Sequence, residues 1–325
     1  MLLLNKEDIK KVFSMRDAIE ADKICYSIIS KGGDDTPLRT NITSKNGSLI
    51  FMPSYIEGIG AAGLKIVNIF PDNGKINLPT TIGQVLLIDG ETGEVLALMD
   101  GTYITALRTG AASGVAFDLF GNKSGKIGAI IGTGSQARCQ LEAMIESSNV
   151  EEIRIAARNY QKTENFVKEM SAIYKNVKLI PKKTPEEAIK DADFIITVTI
   201  SEAPLFSTAS VKQGAVISAV GSYMPQMQEL EPELFARAGK IYFDSGSAVI
   251  AESGDVQVPL KEGIIKKSDF TGDIGEFING DISGRESDSE IIIFKNVGVG
   301  ALDLVVAKAI YDKAKNEEIG LRWEC

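Results

Sequence analysis

Residues 127–137 read Ile127-Gly128-Ala129-Ile130-Ile131-Gly132-Thr133-Gly134-Ser135-Gln136-Ala137. An apolar run leads into the pattern G-x-G-x-x-A, and a helix is expected to follow. The first glycine allows a tight turn and the second lets a pyrophosphate approach the backbone. The small third residue lets helix and strand pack closely, while the helix N-terminus offers amide donors to phosphates. An accidental glycine-rich turn is the ordinary alternative for so short a pattern. Here strand, turn, helix and second strand come in the order that dinucleotide binding requires. Gly132, Thr133, Gly134, Ser135, Gln136 and Ala137 are therefore the first cofactor candidates.

Downstream of this stretch the rhythm is strand, helix, strand, helix. Strands are expected at 127–132, 153–157, 177–180, 194–199, 215–220 and 241–244. That alternation is the sign of a parallel, doubly wound sheet. The ends of these strands add Thr197, Val198, Thr199, Val220 and Gly221 to the expected cofactor contacts. Upstream the pattern is mixed. Helical spacing runs from Asn5 to Ile29, and strand-like segments lie at 48–52, 61–70 and 84–89. Asp89-Gly90 and Thr92-Gly93, between two apolar runs, read as a hairpin turn. A long helix is expected over 103–119 and a last one over 301–316, the latter long enough to return to the first domain. The chain is thus expected to be an α/β protein. A Rossmann domain would occupy 119–304, and a mixed α+β domain 1–118 with 305–325.

Composition narrows the chemistry. The 325 residues match about two domains at roughly 150 residues each. Lys and Arg total 35 against 44 Asp and Glu, a balance that argues against a general nucleic-acid binder. Histidine is absent, which removes Ser-His-Asp and Cys-His catalysis, most zinc hydrolase sites and any imidazole base. No metal site is expected. Cys25, Cys139 and Cys325 are scattered and odd in number, reading as reduced thiols of a cytoplasmic protein. The apolar start Leu2-Leu3-Leu4 is too short for a signal peptide, and no membrane-spanning stretch is expected.

The second expected strand bears on cofactor choice. An NAD site of this kind usually ends that strand in Asp or Glu, to hold the ribose hydroxyl. Here the residues are Ile155-Ala156-Ala157-Arg158-Asn159, with no acid. Arg158 is placed to meet a 2′-phosphate, with Asn159 beside it, so NADP(H) is preferred and NAD(H) is the other cofactor. A solvated surface arginine is the plain alternative.

Three cations lie in unusual company. Arg39 follows Thr36-Pro37-Leu38, Lys65 sits inside the apolar run 61–67, and Arg108 sits among small residues in 104–112. A cation in an apolar run usually reaches solvent or pairs with an acid. Few acids are near in sequence, so an anionic ligand such as a carboxylate competes with those explanations.

Three stretches resemble the ornithine cyclodeaminase/mu-crystallin family. They are Thr36-Pro37-Leu38-Arg39, the run from Leu98 to Thr109, and the glycine motif at 132–137. Gly284-Arg285-Glu286-Ser287-Asp288-Ser289-Glu290-Ile291 and Phe294-Lys295-Asn296-Val297-Gly298 resemble it too, so the likeness spans most of the chain. The resemblance implies a homodimer with a Rossmann domain and an N-terminal substrate domain completed by the final helix. It implies that Arg39, Arg108 and Lys65 hold a substrate carboxylate, with Met52 in the substrate site. It also places Asp303 near the nicotinamide, although Asp100 and Asp303 could equally be helix caps or core polar residues. Thr81 and Arg108 join the expected cofactor set, and so does Gly298, which together with Gly300 suits a close backbone approach.

The sequence also departs from the cyclodeaminase pattern. Ser222 and Tyr223 stand where those enzymes carry a catalytic Asp, and Ile50 where they carry a Glu. Cyclodeamination must handle a second, distal ammonium, for which an acid is the obvious partner. A reductase of an already closed cyclic imine has no such group to manage. The expected activity is hydride transfer to a small cyclic 2-imino acid, Δ1-pyrroline-2-carboxylate or Δ1-piperideine-2-carboxylate. Lys65 is the favoured proton donor, its pKa lowered by two guanidinium groups, with Tyr223, Ser222 or water as the others. Ornithine cyclodeaminase is the alternative, and a non-enzymatic mu-crystallin-like binding protein the second alternative.

Overall fold

The computed structural model describes residues 1–324; Cys325, one of the three expected thiols, lies outside the described residues. In chain order the first elements are β1 (Leu2–Leu4), α1 (Lys6–Val12), α2 (Met15–Ile29), β2 (Asp34–Asp35), β3 (Thr40–Thr43), β4 (Ser48–Ile56), β5 (Ala61–Ile69), β6 (Thr81–Asp89), β7 (Val95–Asp100) and α3 (Gly101–Phe120). Next come β8 (Ile127–Ile131), α4 (Ala137–Ser147), β9 (Glu152–Ala156), α5 (Tyr160–Ile173), β10 (Lys178–Lys182), α6 (Pro185–Ile189), β11 (Phe194–Thr197) and β12 (Val216–Ala219). The remainder are α7 (Pro232–Arg237), β13 (Lys240–Phe243), α8 (Gly246–Glu252), α9 (Gly254–Glu262), β14 (Gly272–Asp273), α10 (Ile274–Asn279), β15 (Ile292–Lys295), α11 (Gly300–Asn316) and β16 (Leu321–Arg322).

Two units divide the described chain. The first comprises 1–108 with the segment from Gly298 onward, and the second 109–297. Both this division and the expected boundary at 118/119 lie on α3.

In the first unit, the helical spacing from Asn5 to Ile29 resolves into two helices rather than one. Phe13 takes an extended backbone, and Ser14 restarts the chain as an N-cap, accepting from Asp17 N in a capping box. Such a cap satisfies amides that a continuous helix would leave to the preceding turn. The sheet runs β16-β1-β7-β6-β5-β4-β2, with β3 paired to β4. The expected hairpin joins β6 and β7, where Asp89 Oδ1 accepts from Glu91 N and Thr92 N. Alternation puts one face of β4 inside, with Ile50, Met52, Ser54 and Ile56 buried. One register row across the sheet reads Leu4, Met99, Val85, Lys65 and Met52. All five are buried, so a lysine stands inside an otherwise apolar row. Helix α11 packs on β4, β5 and β6, and α2 packs on α11. Close approach of α11 depends on Gly63, where a Cβ would stand 2.8 Å from Leu304.

The second unit is a sheet in the order β10-β9-β8-β11-β12-β15-β13-β14, parallel throughout. Its inner strands β8, β11, β12 and β15 are almost wholly buried, as helices on both faces require. β15 is a strand that the alternation did not predict. The order reverses between β8 and β11, and ligands of such folds bind beyond the strand ends at that point. The architecture is the expected α/β one, a doubly wound Rossmann sheet with a separate mixed α+β unit. Among the described residues, no helix is long and apolar enough to cross a membrane. Cys25 and Cys139 are both buried.

Candidate active site

In the first unit the fold gathers Lys65, Arg108 and Arg39 around the start of α11. Lys65 Nζ donates to Asp303 Oδ2 at 2.5 Å, and Arg108 Nε to Asp303 Oδ1 at 3.1 Å. Arg39 Nη2 donates to the Gly298 carbonyl at 3.0 Å. Gly298 itself has φ +76, and a Cβ there would meet Arg108 Nη1 at 2.3 Å. Only glycine serves this close approach. Met52 lies beside Lys65 in register and beside Gly300, where a Cβ would be 3.6 Å away.

The cations are therefore not acid-free, as sequence proximity suggested. Asp303 lies 195 residues from Arg108 and 238 from Lys65 along the chain. A helix α11 start buried on the sheet brings it there, so Asp303 is an ion-pair partner rather than a cap. Asp100 is the cap, accepting from Tyr103 N at the start of α3.

The pairing is incomplete in an informative way. Arg108 makes one hydrogen bond among the described residues, through Nε, which leaves its terminal Nη1/Nη2 edge for another partner. That edge is the planar fork that matches a carboxylate. Lys65 donates one of its three protons, to Asp303. Burial is the largest influence on Lys65 and lowers its pKa to about 7; Asp303 opposes the fall, and Arg108 and Arg39 add to it. The expected direction is present, with burial ahead of the guanidinium groups as its cause. Burial also works against Arg108, but Asp303 and Asp22 outweigh it and raise its pKa.

Helix α2 contributes a residue that the sequence reading missed. Asp22 is fully buried, and among the described residues neither carboxylate oxygen has a hydrogen-bond partner. Burial pushes its carboxyl well above the ordinary range; Arg108 counters this and Asp303 adds to it. No periodicity marks Asp22, because a buried acid on an amphipathic helix looks like any polar position.

The dinucleotide motif lies in the second unit. Gly132 takes φ +125, and a Cβ there would stand 2.5 Å from the Val198 carbonyl, while Gly134 has open space around it. Val198 N donates to Ile131 O, tying the ends of β8 and β11 together. The Gln136 Oε1 atom and the Thr199 hydroxyl are buried without hydrogen-bond partners among the described residues. A positive-φ glycine, an open glycine, the amides at the start of α4 and the Thr199 hydroxyl fit a dinucleotide's phosphates. Thr133 and Ser135 complete the loop into Ala137, the first residue of α4. Arg158 is exposed just past β9 and forms no hydrogen bond or ion pair among the described residues. Asn159 Oδ1 is used as the N-cap of α5, accepting from Lys162 N.

A buried network, also unforeseen, holds the neighbouring strand ends. Glu229 accepts from Thr197 Oγ1 at 2.8 Å, Thr199 N at 2.6 Å and Gly221 N at 2.7 Å. Asp255 Oδ1 accepts from Glu229 N and Leu230 N, and Lys295 Nζ donates to Ala219 O and Asn296 O while lying 3.7 Å from Asp255. Burial raises Glu229 to about 7, with Asp255 adding and Lys295 opposing. Ser222 is fully buried, and its hydroxyl is engaged by Met227 O, Ser253 Oγ and Asp255 N. Tyr223 next to it is half-buried, and Val220 is buried. Of the remaining candidates, Thr81 is half-buried at the start of β6; it belongs, with Arg108 and Gly298, to the first unit. Among the described residues no group of His, Cys, Asp and Glu could hold a metal ion.

The chain thus pairs a doubly wound dinucleotide fold with a separate unit that buries a cluster of cations. The profile of the ornithine cyclodeaminase/mu-crystallin family matches residues 1–318. The chain belongs to that family and is an NAD(P)-dependent enzyme. A Bacillus cereus Δ1-pyrroline-2-carboxylate reductase is 37% identical to it over 326 residues, covering 100% of each chain. The structure of Thermococcus litoralis Δ1-pyrroline-2-carboxylate reductase, in complex with NADH and L-proline, matches with TM-score 0.94 at 37% identity. That match covers 99% of this chain and 100% of the other. An archaeal alanine dehydrogenase dimer with bound NAD matches with TM-score 0.92 at 33% identity, covering 100% of this chain and 99% of that one.

Proposed function

We propose that the enzyme reduces a small cyclic 2-imino acid. Δ1-Pyrroline-2-carboxylate going to L-proline is the leading case, and Δ1-piperideine-2-carboxylate going to L-pipecolate the larger-ring one. The observation that carries the reading is the free terminal fork of Arg108, held in place through its Nε by Asp303. Arg108 and Arg39 take the substrate carboxylate and so fix the ring. Lys65 gives a proton to the ring nitrogen, which makes the imine carbon electrophilic; its lowered pKa suits a donor working near neutrality. The reduced nicotinamide, when bound, supplies the hydride to that carbon. The double bond is thereby reduced, the ring nitrogen gains the Lys65 proton, and solvent reprotonates Lys65. Gly132 to Ala137 hold the pyrophosphate, and the Arg158 guanidinium, with no acid beside it, favours NADPH over NADH. A homodimer is part of the same reading, as in the archaeal relative.

A panel of three assays tests this. NADPH and NADH consumption is followed with Δ1-pyrroline-2-carboxylate, ammonia and proline release with L-ornithine and NAD, and NADH consumption with pyruvate and ammonium. Rapid consumption in the first alone is the expected result. Ammonia release from ornithine without net NADH would overturn the reading for a cyclodeaminase, and turnover only of pyruvate would overturn it for an alanine dehydrogenase.

A further inference from the structure

The groups around Lys65 do not balance in charge. Its ammonium on β5 meets Asp303 of α11, and it feels Arg108 of α3 and Arg39 from the segment between β2 and β3. From α2, Asp22 and Tyr26 face Arg108, and the Cys25 thiol lies within reach of Asp22, Asp34, Asp303 and Arg108. Lys65, Arg108 and Asp303 are buried, at 1%, 6% and 0% exposure. Together they carry two positive charges and one negative. Asp22 does not supply the missing anion, because an ionised carboxylate shut away without one hydrogen bond is too costly to keep. The Cys25 thiol, raised by burial, is neutral as well. One surplus positive charge is left out of water. A guanidinium cannot release it, whereas an ammonium can.

We propose that Lys65 sheds its proton while the site is empty and takes one up when a substrate carboxylate arrives, so that the substrate loads its own proton donor. The proposal rests on the carboxylate reading of this site. The arriving carboxylate supplies the second anion, and two cations then face two anions. The proton comes from solvent, rests on Lys65 Nζ and passes to the ring nitrogen as the hydride arrives. A substrate lacking the carboxylate is therefore refused twice, once by Arg108 and once by a lysine with no proton to give. Lys65 at about 7 in the empty site sets where the effect is seen.

The test is calorimetric binding of pyrrole-2-carboxylate, whose ring nitrogen does not titrate near neutrality. Runs in pairs of buffers with different ionisation enthalpies count protons taken up per ligand. The expected uptake is about 0.1 at pH 6 and about 0.9 at pH 8, with affinity falling about tenfold per unit above pH 7. Lys65→Met is expected to bind with no uptake, and Asp22→Asn to keep the wild-type uptake because Asp22 is already neutral. Tight binding of the ligand to the wild-type enzyme with no uptake at pH 8 would overturn the proposal and leave the carboxylate reading intact. Loss of the uptake in Asp22→Asn would overturn it too, since the proton would then reside on Asp22. No binding at any pH would remove the carboxylate reading and the proposal with it.

Discussion

Each unit buries a set of charges, and the two sets are wired differently. In the second unit Glu229, Asp255 and Lys295 bond mostly to backbone, taking amides of Thr199, Gly221, Glu229 and Leu230 and giving to the carbonyls of Ala219 and Asn296. In the first unit Lys65, Asp303 and Arg108 bond to one another through side chains, and the Asp22 carboxyl has no hydrogen-bond partner among the described residues. A set stitched to backbone fixes the chain's course, and of its carboxylate oxygens only Asp255 Oδ2 lacks a hydrogen bond among the described residues. A set of side chains with a free guanidinium edge can change partners when a ligand comes. The difference separates charges that hold strand ends in place from charges that meet substrate.

The comparison can be broken most sharply at Arg108. Arg108→Met removes the fork but leaves Lys65 and Asp303 as a matched pair, so kcat/KM is expected to fall about a thousandfold with little change in Tm. Steady-state kinetics and a melting scan check this, and a collapse of Tm would place Arg108 with the stitching charges. Lys65→Met is expected to lower kcat about a hundredfold at saturating substrate. Its stability carries a sign as well. Folded Lys65 titrates near 7 against the ordinary 10.5, so between those values the unfolded chain binds more protons. Wild type should therefore gain stability relative to Lys65→Met as pH rises through that window, and chemical unfolding at pH 7 and pH 9.5 reads it.

In the second unit the expectation reverses. Glu229→Gln turns an amide NH₂ toward donors at Thr199 or Gly221 and should cost about 1–3 kcal/mol of stability by urea unfolding. The smallest effect belongs to Arg158. Arg158→Ala should weaken NADPH binding about tenfold and leave NADH unchanged, measured by fluorescence titration of each nucleotide.

How legible each region was follows from the range of its interactions. The Rossmann unit could be read from Ile127 to Ala137 because strand, glycines and helix start are contiguous. Arg39, Lys65 and Arg108 stood out because a cation in an apolar run breaks a local pattern. Their partner Asp303 did not stand out as one, since nothing local in α11 says that it will lie over β5. The same blindness hid Asp22 and the Glu229–Asp255–Lys295 network, whose members are joined only by the sheet. The break at Ser14 was missed because apolar spacing continues across it, while the Ser14 cap with Asp17 decides the outcome.

The most direct measurement is the binding of pyrrole-2-carboxylate, without nucleotide, to Arg108→Met and Glu229→Gln side by side. Because the cation cluster belongs entirely to one unit, Glu229→Gln should bind the carboxylate as wild type does and Arg108→Met should not. Equal loss in both variants, or retention in Arg108→Met, would contradict the assignment of the first unit's cluster to substrate.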